Sequence, residues 1–197
     1  MSHRVTELHN IQAIENIPSI LEHGILSHEK ASQLPHVSVA MNEVQDKRDT
    51  VTIPGGLRLH QYANLYFCAR NPMMFKRRGM RDQLCVLQIK RRILTYEGAI
   101  ITDMNAASTK YVRFYKSPDG LRGLDFDMIY ADDWRHPGNL PAYYRHSATK
   151  GAEVLIPHCV EKDYISGAYV ASEEANKLLL QQGFTLPITM NPHMFFC

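Results

Sequence analysis

Apolar residues fall in short runs along the chain, and the spacing within each run indicates a helix or a strand. A helix is predicted to begin after Asn16, with Pro18 in its first turn and Gly24 just past its end, and Ser172 is placed to cap another helix. Dense aliphatic and aromatic runs predict buried strands at residues 7–11, 64–68, 84–89, 99–102, 154–156 and 165–170, and the tail at 188–196 is expected to close the sheet. Residues 103–153 are expected to be largely irregular. Short helices before a largely antiparallel sheet predict an α+β fold.

One predicted helix carries a charged residue on its apolar side. Its stripe consists of Val37, Met41, Val44 and Arg48, which fall at spacings of three, four and seven. A cation directed at the core requires an anion there. From spacing alone, two other arrangements are open: Arg48 reaches solvent from the helix edge, or it pairs with Glu43 or Asp46.

Glu153 is a second candidate for chemistry, because it stands at the start of the apolar run 154–156. Strand alternation places Glu153 and Leu155 on one face, and Val154 and Ile156 on the other. In an arbitrary protein, a carboxylate at this position is more often a solvent-facing residue at a strand edge.

Length and composition predict one domain that spans residues 1–197. A hydrophobic share of 45% and a charged share of 21% lie near globular averages. The formal net charge of +2 is too small to establish a polyanion as partner. Residues 76–92 contain seven cations and the single acid Asp82, which suits either a phosphate backbone or a solvated hairpin or loop.

The four cysteines lie far apart, with no spacing typical of a zinc site. We expect reduced core cysteines and no bound metal. The chain has no apolar run of signal-peptide or membrane-span length, which favours a cytoplasmic protein that does not contact a membrane.

Residues 42–75 join a Gln-x-x-Arg helix, a Pro-Gly-Gly turn, a Tyr-Phe strand and a Pro-Met pair. This order resembles the DarT family of toxins, which transfer ADP-ribose from NAD to a base in single-stranded DNA. A second resemblance to that family is an Ala-Glu pair followed by an apolar triplet, at residues 152–156. The matching residues of the first stretch are Gln45, Arg48, Pro54, Gly55, Gly56, Tyr66, Phe67, Pro72 and Met73.

The resemblance implies an ADP-ribosyltransferase fold with a long substrate-recognition loop, and it makes Arg48 and Glu153 catalytic. Cleavage of the bond between nicotinamide and ribose builds positive charge on the sugar, which a fixed carboxylate stabilises. Guanidinium stays protonated, so Arg48 is expected to hold an NAD phosphate and to stabilise an anion on the target base.

NAD is the implied co-substrate, although no G-x-G-x-x-G motif follows a strand. The family's first strand carries a Tyr-His-Ile-Thr string that holds the nicotinamide amide. Here that string is His9-Asn10-Ile11-Gln12, so Asn10 and Gln12 replace the family's histidine and threonine, and His9 is expected to take over part of the role. The remaining NAD contacts implied by the resemblance are Ser19, Ser27, Gln45 and Arg48.

The substrate-recognition loop is expected at residues 112–152, where aromatic residues alternate with cations in a manner that suits splayed bases and phosphates. Its candidate DNA contacts are Tyr115, Lys116, Arg145 and Lys150, while Trp134 is expected to anchor the loop.

The resemblance makes thymidine the first acceptor to consider and guanosine the second. It also implies a toxin–antitoxin system in which a macrodomain antitoxin of the DarG type removes the modification. Three alternatives remain open from the residues: ADP-ribosylation of RNA or a protein, a catalytically silent nucleic-acid-binding domain, and a metal-dependent nuclease, for which the histidine spacing gives little support.

Overall fold

The computed structural model describes residues 4–38, 42–108 and 111–197, and the backbone alone of residues 42–45. The strands are β1 Glu7–Ala13, β2 Ile25–Leu26, β3 Tyr62–Tyr66, β4 Leu84–Lys90, β5 Ile100–Thr102, β6 Phe114–Lys116, β7 Glu153–Pro157, β8 Cys159–Val160, β9 Ile165–Val170 and β10 Ile188–Met190. The helices are α1 Ile17–His23, α2 His28–Ala31, α3 Asn42–Asp49, α4 Pro72–Arg77, α5 Phe126–Tyr130, α6 Leu140–Thr149 and α7 Glu173–Gln181.

In the part of the chain that the structure describes, eight strands form one sheet in the order β10-β9-β4-β1-β3-β7-β5-β6. Its recorded pairings are antiparallel except for that of β9 with β10. Strands β2 and β8 form a second, two-stranded sheet. The α+β prediction is confirmed, and the strands predicted at 84–89 and 165–170 lie where the apolar runs placed them.

The register of the central strands brings distant parts of the sequence together. His9 of β1 pairs with Tyr66 of β3, and Tyr66 pairs in turn with Glu153 of β7. Strand β7 is buried on both faces: Val154 and Ile156 pack into the main core, while Leu155 packs with Ile53 on the other side. The predicted alternation is therefore confirmed, and Glu153 lies on the Leu155 face.

Residues 112–152 are more regular than the sequence suggested, because they contain β6, α5 and α6. Asp125 and Asn139 cap the two helices, with side-chain oxygens that accept from the backbone N–H groups of Met128 and Ala142 at 3.0 Å each. Such caps satisfy N–H groups that have no partner within a helix. The irregular segment expected after residue 102 is therefore interrupted by one strand and two helices, and the remainder of its described residues is turn and loop.

The basic segment 76–92 is divided between two places. Its first group of cations lies in α4 and the 3-10 turn Arg78–Gln83, and its second group lies at the far end of β4, a seven-residue strand, and just after it. A strand of that length separates its ends by roughly 20 Å. The ammonium of Lys90 donates to the Asp163 carbonyl at 2.8 Å. The seven cations therefore do not form one patch.

The cysteines are free, as expected, but Cys85 alone among them is buried. Within the described residues, no cluster of three or more His, Cys, Asp or Glu side chains is arranged to hold a metal ion. None of the helices described is long and apolar enough to cross a membrane.

Candidate active site

Arg48 and Glu153 form a buried ion pair. Nη1 of Arg48 lies 3.1 Å from Oε1 and 3.1 Å from Oε2 of Glu153. The glutamate is 0% exposed and the arginine 7% exposed. The alternatives in which Arg48 reaches solvent, and in which Glu153 is a surface residue, are thereby excluded, whereas the side chain of Glu43 lies outside the described residues.

The helix that carries Arg48 begins later in the chain than the predicted apolar stripe does. Helix α3 begins at Asn42, so Val37 precedes it and lies in a loop. Met41 and the side chain of Val44 lie outside the described residues. The direction of Arg48 toward the core is confirmed by its contact with Glu153.

Neighbouring groups hold Glu153 in place and compensate its negative charge. Its backbone N–H donates to Thr102 Oγ1 at 3.0 Å, and its Oε1 accepts from the Ala106 N–H at 3.2 Å. Both neighbours are buried. A carboxylate that is bonded to a guanidinium and an amide, inside the protein, has its charge satisfied and its orientation set before any ligand arrives.

Tyr66, at the end of β3, is the residue that pairs with Glu153 in the sheet. Burial, and then the charge of Glu153, raises the pKa of Tyr66, so its phenol stays protonated at neutral pH. Its hydroxyl contacts Met73 Sδ at 3.6 Å. Tyr66 therefore presents a neutral hydroxyl and an aromatic ring beside the ion pair.

A cavity of about 280 Å³ adjoins Arg48 and Tyr66. Five of the residues predicted to bind NAD line it: Asn10, Ile11, Gln12, Ser19 and Arg48. Its other walls include Gly24 and His28, the segment 34–38, and Lys76. The cavity thus combines amides, cations and apolar surface.

Two predicted NAD contacts, His9 and Ser27, do not line this cavity, and a third, Gln45, is not tested. Nε2 of His9 lies 3.1 Å from Glu7 Oε1, and His9 is not among the lining residues. Ser27 is buried, and its hydroxyl accepts from the Lys30 N–H at 3.4 Å to cap α2. The side chain of Gln45 lies outside the described residues, so its predicted contact stays a prediction.

The predicted DNA contacts divide into exposed and buried residues. Lys116 and Arg145 are exposed, on β6 and α6. Tyr115 is partly buried, with its ring in the space beside Gly120 and Gly123. These three stay predictions.

Lys150 is incompatible with its predicted role in this structure, because it is 0% exposed. Its ammonium donates to the carbonyls of Ile129 and Ala131 at 2.8 Å each, and contacts Cys68 Sγ at 3.3 Å. Burial lowers the pKa of Lys150. We therefore assign Lys150 to holding the end of α5, and not to a phosphate of DNA.

The residues of this region that sequence reasoning missed include Asn16, Tyr66 and Thr102, as functional positions, and Lys76, as a cavity-lining cation. Tyr66 and Lys76 carried a signal, since one is in the motif that matched the family and the other is in the basic segment. Thr102 and Asn16 carried none, because their roles depend on contacts with residues far along the chain or on the other side of a turn.

The fold of the chain is that of the DarT ADP-ribosyltransferases. A solved structure of Thermosipho africanus DarTG in complex with ADP-ribose matches it with a TM-score of 0.83 at 30% identity, over 96% of this chain and 51% of the other. The structure of Thermus sp. 2.9 DarT in complex with ADP-ribosylated ssDNA matches with a TM-score of 0.81 at 23% identity, over 97% and 96% of the two chains. At that lower identity the likeness shows the fold.

A family model described as "ssDNA thymidine ADP-ribosyltransferase, DarT" matches residues 9–196. A DNA ADP-ribosyl transferase-DNA ADP-ribosyl glycohydrolase fusion protein of Thermosipho africanus is 32% identical over 206 residues, which cover 98% of this chain and 50% of the relative. The chain therefore belongs to the DarT family. It spans half of the length of that fusion relative.

Proposed function

We propose that the protein is an NAD-dependent ADP-ribosyltransferase that modifies a base in single-stranded DNA. The observation that carries the proposal is the fully buried Glu153 carboxylate, bonded to Arg48 beside a cavity lined by amides and cations. Membership of the DarT family supports the class of reaction and NAD as the co-substrate.

The residues that line the cavity fit the parts of NAD. Asn10 and Gln12 offer amide groups that suit a carboxamide, and Arg48 and Lys76 offer cations that suit phosphates. Apolar residues such as Ile20 and Leu34 suit the faces of rings.

The reaction breaks the bond between the nicotinamide nitrogen and C1′ of the ribose, and the electron pair leaves with nicotinamide. Positive charge develops on the sugar, and the Glu153 carboxylate stabilises it electrostatically. Because Glu153 is held by Arg48, Thr102 and Ala106, it needs little reorganisation as the charge appears. A ring nitrogen of the base, which has released its proton to solvent, then bonds to C1′.

We propose thymidine as the acceptor, in line with the description of the family model, with guanosine as the second candidate. A thymine ring nitrogen must release a proton to become a nucleophile, which leaves an imide anion. The guanidinium of Arg48 cannot accept that proton, but its charge stabilises the anion. Lys116, Arg145 and Tyr115 are the proposed contacts to DNA.

We also propose that the protein acts in the cytoplasm, as the toxin of a toxin–antitoxin system, with a DarG-type macrodomain that removes the modification. The support is the relative in which a DNA ADP-ribosyl transferase is fused to a DNA ADP-ribosyl glycohydrolase. Fusion of two such activities is expected where one reverses the other.

The test is mass spectrometry of single-stranded oligonucleotides that differ in one base, incubated with NAD and either wild type or Glu153→Ala. We expect a mass gain of one ADP-ribose on thymidine-containing DNA with wild type alone. A mass gain on RNA or on a protein, without one on DNA, would show that RNA or protein is the acceptor. If nothing gains mass while both proteins bind oligonucleotide equally, the silent binding domain is the correct description.

A further inference from the structure

Asn16 precedes α1 at the position of a cap, yet its side chain makes no cap hydrogen bond. Its Nδ2 donates instead to the Val37 carbonyl at 2.8 Å and to Gln12 Oε1 at 3.3 Å, and its Oδ1 accepts from the Val37 N–H at 2.8 Å. The side chain of Asn16 thus joins β1 to the loop that contains Val37.

These bonds continue along the cavity wall as a chain of amides. Gln12 Nε2 donates to Asn10 Oδ1 at 2.8 Å, and Asn10 Nδ2 donates to the Asn64 carbonyl on β3 at 3.0 Å. We call the side chains of Asn10, Gln12 and Asn16 the amide relay. The amide relay runs from the backbone of Val37 to the backbone carbonyl of Asn64.

The direction of the amide relay is determined at its two ends. The Val37 N–H can only donate, so the Asn16 atom beside it must be oxygen, and Nδ2 must face the Val37 carbonyl and Gln12. Gln12 then has to present its oxygen to Asn16 and its nitrogen to Asn10. Asn10 in turn presents its nitrogen to the Asn64 carbonyl, which can only accept.

The amide relay leaves hydrogen-bonding groups for a ligand. Asn10 and Gln12 each use one of two N–H groups within it, and each oxygen keeps a second lone pair. Both residues line the cavity. Neighbouring donors and acceptors match a primary carboxamide, which itself offers one oxygen and one NH₂ group.

An amide side chain can turn by 180° and exchange its donor with its acceptor, so neighbouring groups have to set its orientation at a ligand site. This chain therefore requires a group that fixes the orientation of Asn10 and Gln12. Asn16 has the bonds to do so, because Val37 holds it at both of its polar atoms.

We infer that Asn16 is a positioning residue for the co-substrate: it orients Gln12, and through it Asn10, to receive the carboxamide of NAD. The inference rests on the proposed NAD-dependent activity and adds Asn16, which lines the cavity but was not predicted to contact NAD. Asn16→Asp keeps the shape of the side chain and removes both of its N–H donors, so the amide relay must reverse and place an oxygen against the Asn64 carbonyl.

The experiment measures the dissociation constants of NAD and of ADP-ribose, which lacks the carboxamide, by calorimetry. For Asn16→Asp we expect the dissociation constant of NAD to rise roughly tenfold, as for a misplaced buried hydrogen-bonding group. The affinity for ADP-ribose should stay within about twofold of wild type, because that ligand does not engage the amide relay. Asn176→Asp in α7, which is outside the cavity lining, adds the same charge and serves as the matched control.

An equal loss of affinity for NAD and ADP-ribose, or no loss of affinity for either, would contradict the role of Asn16. Failure of wild type to bind NAD would instead contradict the proposed function. If Asn16→Asp does not fold, Asn16→Ala removes the donor to Gln12 without adding charge and gives the same comparison.

Discussion

Glu153→Gln is expected to lower the stability of the protein as well as its activity. The substitution removes the charge that compensates Arg48 and preserves the size of the side chain. Arg48 is almost fully buried, and its Nη1 contacts both carboxylate oxygens. The amide that replaces the carboxylate would leave a buried cation without its counter-ion.

The magnitude follows from the burial of the two partners. Removal of one partner from a buried ion pair costs about 3–5 kcal/mol. Because Arg48 lines the cavity, water there solvates part of its charge, and the lower end, about 3 kcal/mol, is the appropriate value. For a domain of this size, each kcal/mol shifts the melting temperature by about 2–4 °C, so a decrease of roughly 6–12 °C is expected.

Thermal unfolding of four proteins measures this effect: wild type, Glu153→Gln, the double variant Arg48→Met with Glu153→Gln, and the exposed control Glu97→Gln. The double variant should recover much of the loss, since it has no buried unpaired charge. A melting temperature for Glu153→Gln within about 2 °C of wild type would refute the reasoning.

Three further predictions concern other parts of the fold. Lys150→Met should lower the free energy of unfolding by about 1–3 kcal/mol in urea titrations, because two backbone carbonyls lose their donor, and should leave the salt dependence of DNA binding unchanged. Burial is the main cause, and nearby positive charges the second, of the lowering of the pKa of His28 and His60 from 6.5. Just below pH 6.5 the unfolded chain therefore binds more protons at these two histidines than the folded protein does. Stability should therefore rise as the pH increases toward 6.5, and replacement of both histidines by Gln should flatten that rise. Gly24→Ala should destabilise the protein more than Gly55→Ala in the same melting assay, because both glycines have positive φ but the new Cβ at Gly24 alone would lie 2.4 Å from a backbone oxygen.

The sequence was sufficient where a local pattern sets the outcome. Density of apolar residues placed β4 and β9, and alternation placed Glu153 on the Leu155 face. The apolar stripe made a core-directed Arg48 only one of three arrangements open from spacing, and the contact with Glu153 is what selects it, since Val37 is not part of that helix. Patterns confined to one short segment therefore predict where a strand lies and which face of it a side chain occupies.

The sequence was insufficient where a role depends on tertiary contacts. Lys150 reads as a surface cation, but it fills a buried position where carbonyls of α5 and the following turn converge. Asn16 has the sequence position of a helix cap, but its side chain forms hydrogen bonds with Val37 and Gln12 instead. Local spacing does not encode either contact, because each partner is placed by the fold.

The most direct test of the central claim is a single-turnover measurement of nicotinamide release and ADP-ribosyl-DNA formation in the same sample. Wild type should form the two products in equal amounts, and Glu153→Ala should form neither while still binding NAD in calorimetry. Formation of ADP-ribosyl-DNA by Glu153→Ala at the wild-type rate would contradict the account, since the carboxylate beside Arg48 would then have no part in the transfer.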